Sequence, residues 1–314
     1  MTVRPILIEG MHGLGDNVQQ RAVVRHLLGE GHRLWLRTPW PCLYHDLVGD
    51  RLALLEHGKT LRTQRKNARR ERDRYSRSAV PYGARKIRIW YDYDGIRRTG
   101  SFLGGMFGLT LKRPADDADI RLPVPDAWRE KADALVPPSG KPILVLRPLV
   151  TRTEWSGCDA RNPDAEAYAA LYASIREAFH VVSIADLAPG IEWLVGPRLP
   201  ADQVFHAGEA DIETVAALMA RAALVFTAPG FAIHLAQAVG TPVIGIFGGH
   251  ESARFYQDGE RFAPTLGIDP VHPCECFSKK HGCDKTIDLA DATARIAAFV
   301  AAHCHAADRS AVAA

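Results

Sequence analysis

The sequence predicts an α/β protein made of two doubly wound parallel-sheet units. Three observations carry that reading: strand, turn, helix and strand signals fall within about 35 residues at the start, the same alternation resumes in the second half, and a proline-rich stretch separates the two.

In the first half, PILIEG is a short apolar run ended by Gly10. The stretch NVQQRAVVRHLLGEG then places Ala22, Val23, Leu27 and Leu28 at helical spacing before Gly31 stops it, and RLWLRT follows as a second strand. In the second half PILVLRP reads as a strand, a helix follows Pro163, VVSIAD is a strand, a helix follows Asp211, ALVFT is a strand, a helix runs through His234, and PVIGIF is a strand. Residues 121–142 hold five prolines and one glycine around a short helix, which puts the boundary near residue 138 and gives domains 1–137 and 138–314. An amphipathic stretch from Asp288 to His303 reads as a terminal helix, and the Ala-rich end after it as frayed. Two such units bind ligands at the carboxyl ends of their strands, so a cleft between the facing domains is the expected site.

Length and composition bound the class. A chain of 314 residues suits about two domains. With 47% hydrophobic and 24% charged residues, it reads as soluble and globular. Six cysteines are too few for a disulfide scaffold, and MTVRPILIEG has no apolar signal core, so a reducing cytoplasm is expected. The run Ala222 to His250 is free of Asp, Glu, Lys and Arg and long enough to span a bilayer, but its five glycines and two prolines mark buried strands and turns. Net charge is only +3, yet residues 59–98 carry 14 Lys/Arg against 4 Asp/Glu, so the basicity is local.

Two segments carry chemistry. GMHGLGDNVQQ, residues 10–20, lies where the first strand meets the first helix. Gly13 and Gly15 permit a tight turn and close approach of a ligand, and Asp16 sits at the start of the helix, where it serves either as a cap or as a reactive carboxylate. GLGDNV lacks the third glycine of the dinucleotide fingerprint, which disfavours a nicotinamide oxidoreductase. The second segment, residues 218–252, is a strand, a Pro229-Gly230 turn, a helix and a strand ending in Gly248-Gly249. Unsatisfied amides at the start of that helix suit a diphosphate. Phe231, Ile233 and His234 fit either this site or core packing.

GLGDNVQQ near the start together with ARAALVFTAPGFAIHLAQAVGTPVIGIFG near the end resembles the bacterial ADP-heptose:lipopolysaccharide heptosyltransferases, the family-9 glycosyltransferases. The resemblance spans both halves. It implies a GT-B fold of two Rossmann-like domains, acceptor side N-terminal and nucleotide-sugar side C-terminal. It places the family's catalytic base at Asp16, with Gly13 and Gly15 on the acceptor side. The phosphate-contacting basic residues fall at Arg147 or Arg152 in RPLVTRTEW, and the donor side extends over Thr227, Gly230, Phe231, His234, Gly248 and Gly249. The family's Lys-Trp pair is Glu154-Trp155 here, and its acid and glycine before the histidine are Pro229 and Phe231.

Transfer from a nucleotide sugar needs one base for the acceptor hydroxyl and charge compensation for a departing diphosphate. A glycosidase needs two carboxylates because its leaving alkoxide must be protonated. A base opposite the leaving group gives inversion. Asp92-Tyr93-Asp94 spells a metal-binding pair but lies beside the basic segment and reads as a solvated loop or strand end.

KTLRTQRKNARRERDRY, residues 59–75, reads as a helix with arginines on every face, and RKIRIWYDYDGIRR follows. Arg65, Arg69 and Arg70 are the acceptor-side candidates for an anionic ligand, which is phosphorylated lipopolysaccharide core by resemblance or DNA by counterion release. Cys274, Cys276 and Cys283, with His272 and His281 nearby, are a further metal candidate. Their spacing lacks the paired C-x2-C of structural zinc sites, and packed thiols are the alternative.

The sequence therefore reads as a cytoplasmic, inverting glycosyltransferase, peripheral at the inner face of the inner membrane. It uses a nucleotide sugar, an ADP-sugar by resemblance, and requires no cofactor or metal. The alternatives are a phage-type enzyme acting on modified DNA bases and a non-catalytic polyanion-binding module.

Overall fold

The computed structural model describes residues 5–58, 61–278 and 282–304. The chain divides into two units, Met1–Pro123 and Val124–Ala314.

In the first unit, β1 (Ile6–Glu9), β2 (Leu34–Thr38), β3 (Leu52–Glu56) and β4 (Arg85–Arg88) form an all-parallel sheet in the order β3-β2-β1-β4. The strand order reverses between β1 and β4, which is the switch point where parallel sheets open a crevice at their carboxyl ends. Helix α1 (Leu14–Gly29) covers the sheet with Val18, Ala22, Val23, Val24 and Leu27. Its Arg21 is also fully buried, and the guanidinium is satisfied by Asp46 at 2.9 Å through two nitrogens and by the carbonyls of Leu43 and Arg121. A buried charge persists only with such pairing. Arg25 adds ion pairs to Asp46 and Asp119, so the end of this unit is tied to α1.

Helix α2 (Arg62–Arg70) precedes β4, and α3 (Tyr93–Thr99) and α4 (Phe102–Thr110) follow it. Gly100, at φ +81°, turns α3 into α4, and Gly105 lets the two backbones approach, since a Cβ there would lie 3.2 Å from the Ile96 nitrogen. The basic segment is not a helix with arginines on every face. Gln64, Asn67 and Ala68 face inward at helical spacing, and the α-helix ends at Arg70 before a 3₁₀ turn, Arg72–Arg74. Charged β4 forms the sheet edge, where its exposed Arg85, Lys86 and Arg88 oppose edge-to-edge pairing. Asp92-Tyr93-Asp94 opens α3: Asp92 caps it by accepting from the Gly95 amide, and Asp94 pairs with Arg97.

The second unit begins with α5 (Asp126–Leu135). The division at Pro123 precedes residue 138 because α5 belongs here: it packs against α7 (Ile212–Arg221), burying Trp128 and Ala132, and Lys131 pairs with Asp211 and Glu213. The main sheet contains β5 (Ile143–Leu146), β7 (His180–Ile184), β9 (Gln203–Phe205), β10 (Leu224–Thr227), β11 (Val243–Ile246) and β12 (Thr265–Ile268). Its order is β12-β11-β10-β5-β7-β9, all parallel. Read from the first strand outward this is the 3-2-1-4-5-6 order of dinucleotide-binding folds, with its switch point between β5 and β10.

A small antiparallel ribbon of β6 (Val150–Arg152) and β8 (Glu192–Leu194) stands apart from that sheet. Helices α6 (Ala165–Ala173) and α9 (Leu289–His303) close one face over Leu144, Leu146, Leu224, Phe226, Ile244 and Ile246. Each such side chain taken from water contributes roughly 1.5–3 kcal/mol. The charge-free run from Ala222 to His250 is occupied by β10, α8 (Phe231–Ala238) and β11, almost wholly buried. Among the described residues no helix is long and apolar enough to cross a membrane.

Candidate functional site

In the first unit the turn Gly10–Gly13 leaves β1 at the switch point, and every carbonyl in it has a donor. His57 Nε2 lies 2.9 Å from the Gly10 carbonyl. Asn17 Nδ2 donates to Met11 and Gly13 at 2.7 Å each, and Trp40 Nε1 and Gln64 Nε2 donate to His12 at 2.8 and 3.0 Å. Behind them Gln20, Tyr44 and Thr38 converge on Asn17 Oδ1 in a buried polar cluster. A fully satisfied network of this kind rigidifies what it holds. Burial, aided by the nearby His12, holds the His57 imidazole below its usual range.

This turn places Asp16, half-buried, in the first turn of α1. Tyr91, just beyond β4, donates its hydroxyl to Asp16 Oδ1 at 2.6 Å and rests edge-on against Phe102. Oδ2 folds back over Gly13, so close that a Cβ at Gly13 would collide with it. Gly13 has an ordinary φ of −65°, so it is glycine for space rather than for conformation. Gly15 follows as the second residue of α1. The inward face of α2 supplies Gln64 to the same turn and Asn67 to the Pro39 carbonyl, while Arg65, Arg69 and Arg70 lie exposed on its outward face.

The second unit repeats the arrangement. Arg147 leaves β5 at the switch point, its guanidinium stacked 4.7 Å from the Phe231 ring centroid at the start of α8. Among the described residues no carboxylate or carbonyl accepts from that guanidinium. Burial, and then the positive charge of Arg152, lower its pKa to about 10. Arg152 stacks over Trp155 at 4.4 Å and lies 3.7 Å from Glu154. Gly230, at φ +145°, is the N-cap of α8, which has no side-chain cap and no acid in its first turn. Thr227 ends β10 with its hydroxyl turned to the Ala228 carbonyl. A cation and uncapped helix amides thus flank one crevice, the electrostatic requirement of an anion site.

Beside Arg147 a cavity of about 360 Å³ is lined by Pro148, Leu149, Tyr168, Ser183, Val195 and His206, among others. Tyr168 donates to the Arg147 carbonyl at 2.7 Å, and Ser183 Oγ and His206 Nε2 are 2.8 Å apart. Asp186, two residues beyond β7, lies within the field of Arg147.

Three donor-side expectations find other neighbours. His234 is buried in α8, stacked on Tyr256 at 4.7 Å, and burial, followed by Arg161, lowers its pKa to about 3, so it is a neutral packed imidazole. Gly248 is occupied on its open side by the Asn162 carbonyl, 2.2 Å from where a Cβ would stand, so its missing side chain admits another backbone. Gly249, at φ +81°, accepts from the Glu275 amide at 2.8 Å. Cys274, Cys276 and Cys283 do come together, with sulfurs within 4.8 Å of one another. His272 is not part of that group, and His281 lies outside the described residues.

Residues 62–262 match the profile of glycosyltransferase family 9 (heptosyltransferase). The chain belongs to that family. It is a glycosyltransferase, and its two parallel sheets are those of the GT-B fold. Among curated proteins none matches it. Among solved structures it resembles the iron-containing dodecameric glycosyltransferase TibC from enterotoxigenic E. coli H10407, with TM-score 0.59 and 16% identity over 96% of this chain and 76% of TibC. It also resembles E. coli ADP-heptose LPS heptosyltransferase II, with TM-score 0.53 and 16% identity over 83% of this chain and 90% of that one. E. coli heptosyltransferase WaaC with ADP gives TM-score 0.51 and 12% identity over 96% and 99% of the two chains. At these identities the likeness is one of fold.

The motif GLGDNVQQ contains Asn17 and Gln20 but gave them no role, and there was no signal for Tyr91, Tyr44 or Gln64, whose roles arise from contacts between distant segments. For Asp186 a signal existed: an acid directly after the second strand of a dinucleotide-type sheet.

Proposed function

We propose that this glycosyltransferase moves a heptose-type sugar from a nucleoside diphosphate donor to an anionic glycolipid acceptor of the lipopolysaccharide-core kind, with inversion. The observation that carries the donor assignment is Arg147, which has no hydrogen-bond acceptor for its guanidinium among the described residues and stacks on Phe231 beside the uncapped amides of Gly230 and Phe231. These groups and Arg152 meet the diphosphate charge, so its departure needs no metal at the donor. The nucleoside lies toward β7, with Asp186 at the ribose hydroxyls and the apolar cavity taking the base. WaaC, solved with ADP, supports adenosine as that nucleoside.

Asp16 takes the proton of the acceptor hydroxyl as the hydroxyl oxygen attacks the anomeric carbon. The bond from that carbon to the diphosphate oxygen breaks, and the nucleoside diphosphate leaves with the electron pair. Attack from the face opposite the leaving group inverts the configuration. Tyr91 fixes the carboxylate by donating to one of its oxygens. The exposed arginines of α2 and the cationic edge strand β4 support an anionic acceptor, and with it action at the cytoplasmic face of a membrane. Calorimetric titration with ADP, UDP and GDP tests the donor assignment. ADP is expected to bind most tightly and to lose that affinity in Arg147→Gln, whereas equal indifference to all three would overturn the assignment.

A further inference from the structure

We infer that Cys274, Cys276 and Cys283 form a structural site for a thiophilic divalent cation, zinc or ferrous iron, that ties residues 274–278 and Cys283 to the loop after β11. The site is independent of the transfer reaction proposed above.

The geometry is that of a ligand set. The three sulfurs lie within 4.8 Å of one another, and Cys276 and Cys283 are 3.5 Å apart. That is too far for a disulfide bond, and about the separation of two ligands on one tetrahedral metal with bonds near 2.3 Å. All three are thiols.

The backbone folds to make this arrangement. Glu275 and Phe277, on either side of Cys276, both adopt φ near +53°, a left-handed conformation uncommon for residues with side chains. Two such residues within three positions are held by contacts on each side. The Glu275 amide donates to Gly249 and the Phe277 amide to His250, while Phe277 itself is buried against His250 and Phe255. Strain maintained in this way marks a functional constraint.

The third observation is that the Ser278 amide donates to Cys276 Sγ at 3.4 Å, the kind of hydrogen bond that supports a metal-bound thiolate. The thiols give up their protons as the cation binds. Soft sulfur ligands select zinc or iron over magnesium or calcium. The described residues supply three of the four ligands of a tetrahedral site.

The site abuts the donor sheet. Cys283 Cβ stands 3.5 Å from the position of a Cβ on Gly249, so the metal fixes the loop that leaves β11. The full-length chain without an affinity tag, purified under reducing conditions, is assayed for metal by elemental analysis. The stripped protein is then titrated with cobalt(II). One zinc or iron per chain is expected, together with a thiolate-to-cobalt charge-transfer band and the visible bands of a tetrahedral ion. Which metal is found distinguishes zinc from iron. Cys274→Ser, at an exposed position where folding is undisturbed, is expected to weaken cobalt binding at least tenfold, while Cys158→Ser leaves it unchanged. Folded, reduced wild-type protein that carries no metal and gives no charge-transfer band would overturn the inference. So would cobalt binding unaffected by Cys274→Ser.

Discussion

The Tyr91 hydroxyl donates to one oxygen of Asp16 at 2.6 Å while the other oxygen lies over Gly13. The carboxylate is therefore fixed from two sides, by a residue just beyond β4 and by the turn that leaves β1. An aspartate that merely capped α1 would need neither. Tyr91→Phe is expected to lower kcat about tenfold with little change in donor affinity, within the range that a positioned base contributes. A shifted acidic limb in the pH profile would mark Tyr91 as a positioning residue, and an unchanged kcat and profile would remove it from the mechanism.

Gly13→Ala tests the same geometry by sterics. Because the φ of Gly13 is ordinary, a methyl group strains no backbone there and collides only with the Asp16 carboxylate. The expected result is a loss of kcat with Tm nearly unchanged. A large fall in Tm would show that the turn, and not the carboxylate, was disturbed.

On the donor side, Arg147→Gln removes a cation that no carboxylate hydrogen-bonds among the described residues. A hydrogen bond to a charged group is worth about 1.5–3 kcal/mol, so ADP affinity should fall roughly 10- to 100-fold. The acceptor KM should not change, which steady-state kinetics with each substrate varied will check.

The arginines of α2 act from the opposite face to Gln64, so their removal leaves the turn intact. Replacing Arg65, Arg69 and Arg70 together by Gln is expected to raise the acceptor KM by roughly tenfold and to flatten its dependence on salt, since exposed charges act weakly and are screened. An unchanged KM for a phosphorylated acceptor, with salt-sensitive DNA binding lost instead, would favour the nucleic-acid reading.

The buried His234 links stability to pH. Its folded pKa, about 3, lies below the unfolded value near 6.5, so the unfolded chain binds the proton first. The stability held by the neutral imidazole is fully present above pH 6.5 and is lost as pH falls from there toward 3. In His234→Gln, denaturant unfolding should show a shallower loss over that window. An identical slope would mean that other groups govern it.

Much of the architecture was legible because parallel strands buried on both faces read as apolar runs: PILVLRP, VVSIAD, ALVFT and PVIGIF became β5, β7, β10 and β11. Strands β9 and β12 were not legible, since QVF and TLGI are short and mixed in polarity and gain their identity from neighbours far along the chain. The basic helix was misread because Gln64 and Asn67 look solvated until their partners, the His12 and Pro39 carbonyls, are known. Asp16 and Gly230 were legible as strand-end positions from turn chemistry, whereas Arg147 was singled out through the family resemblance. The site was silent at Tyr91, which lies 75 positions from its partner.

The most direct measurement is sugar transfer and ADP binding by Asp16→Asn, an isosteric change that removes the base and spares the donor crevice. The account predicts wild-type ADP affinity with kcat reduced by about 10²- to 10⁴-fold. Transfer at the wild-type rate would show that Asp16 is a helix cap and contradict the mechanism.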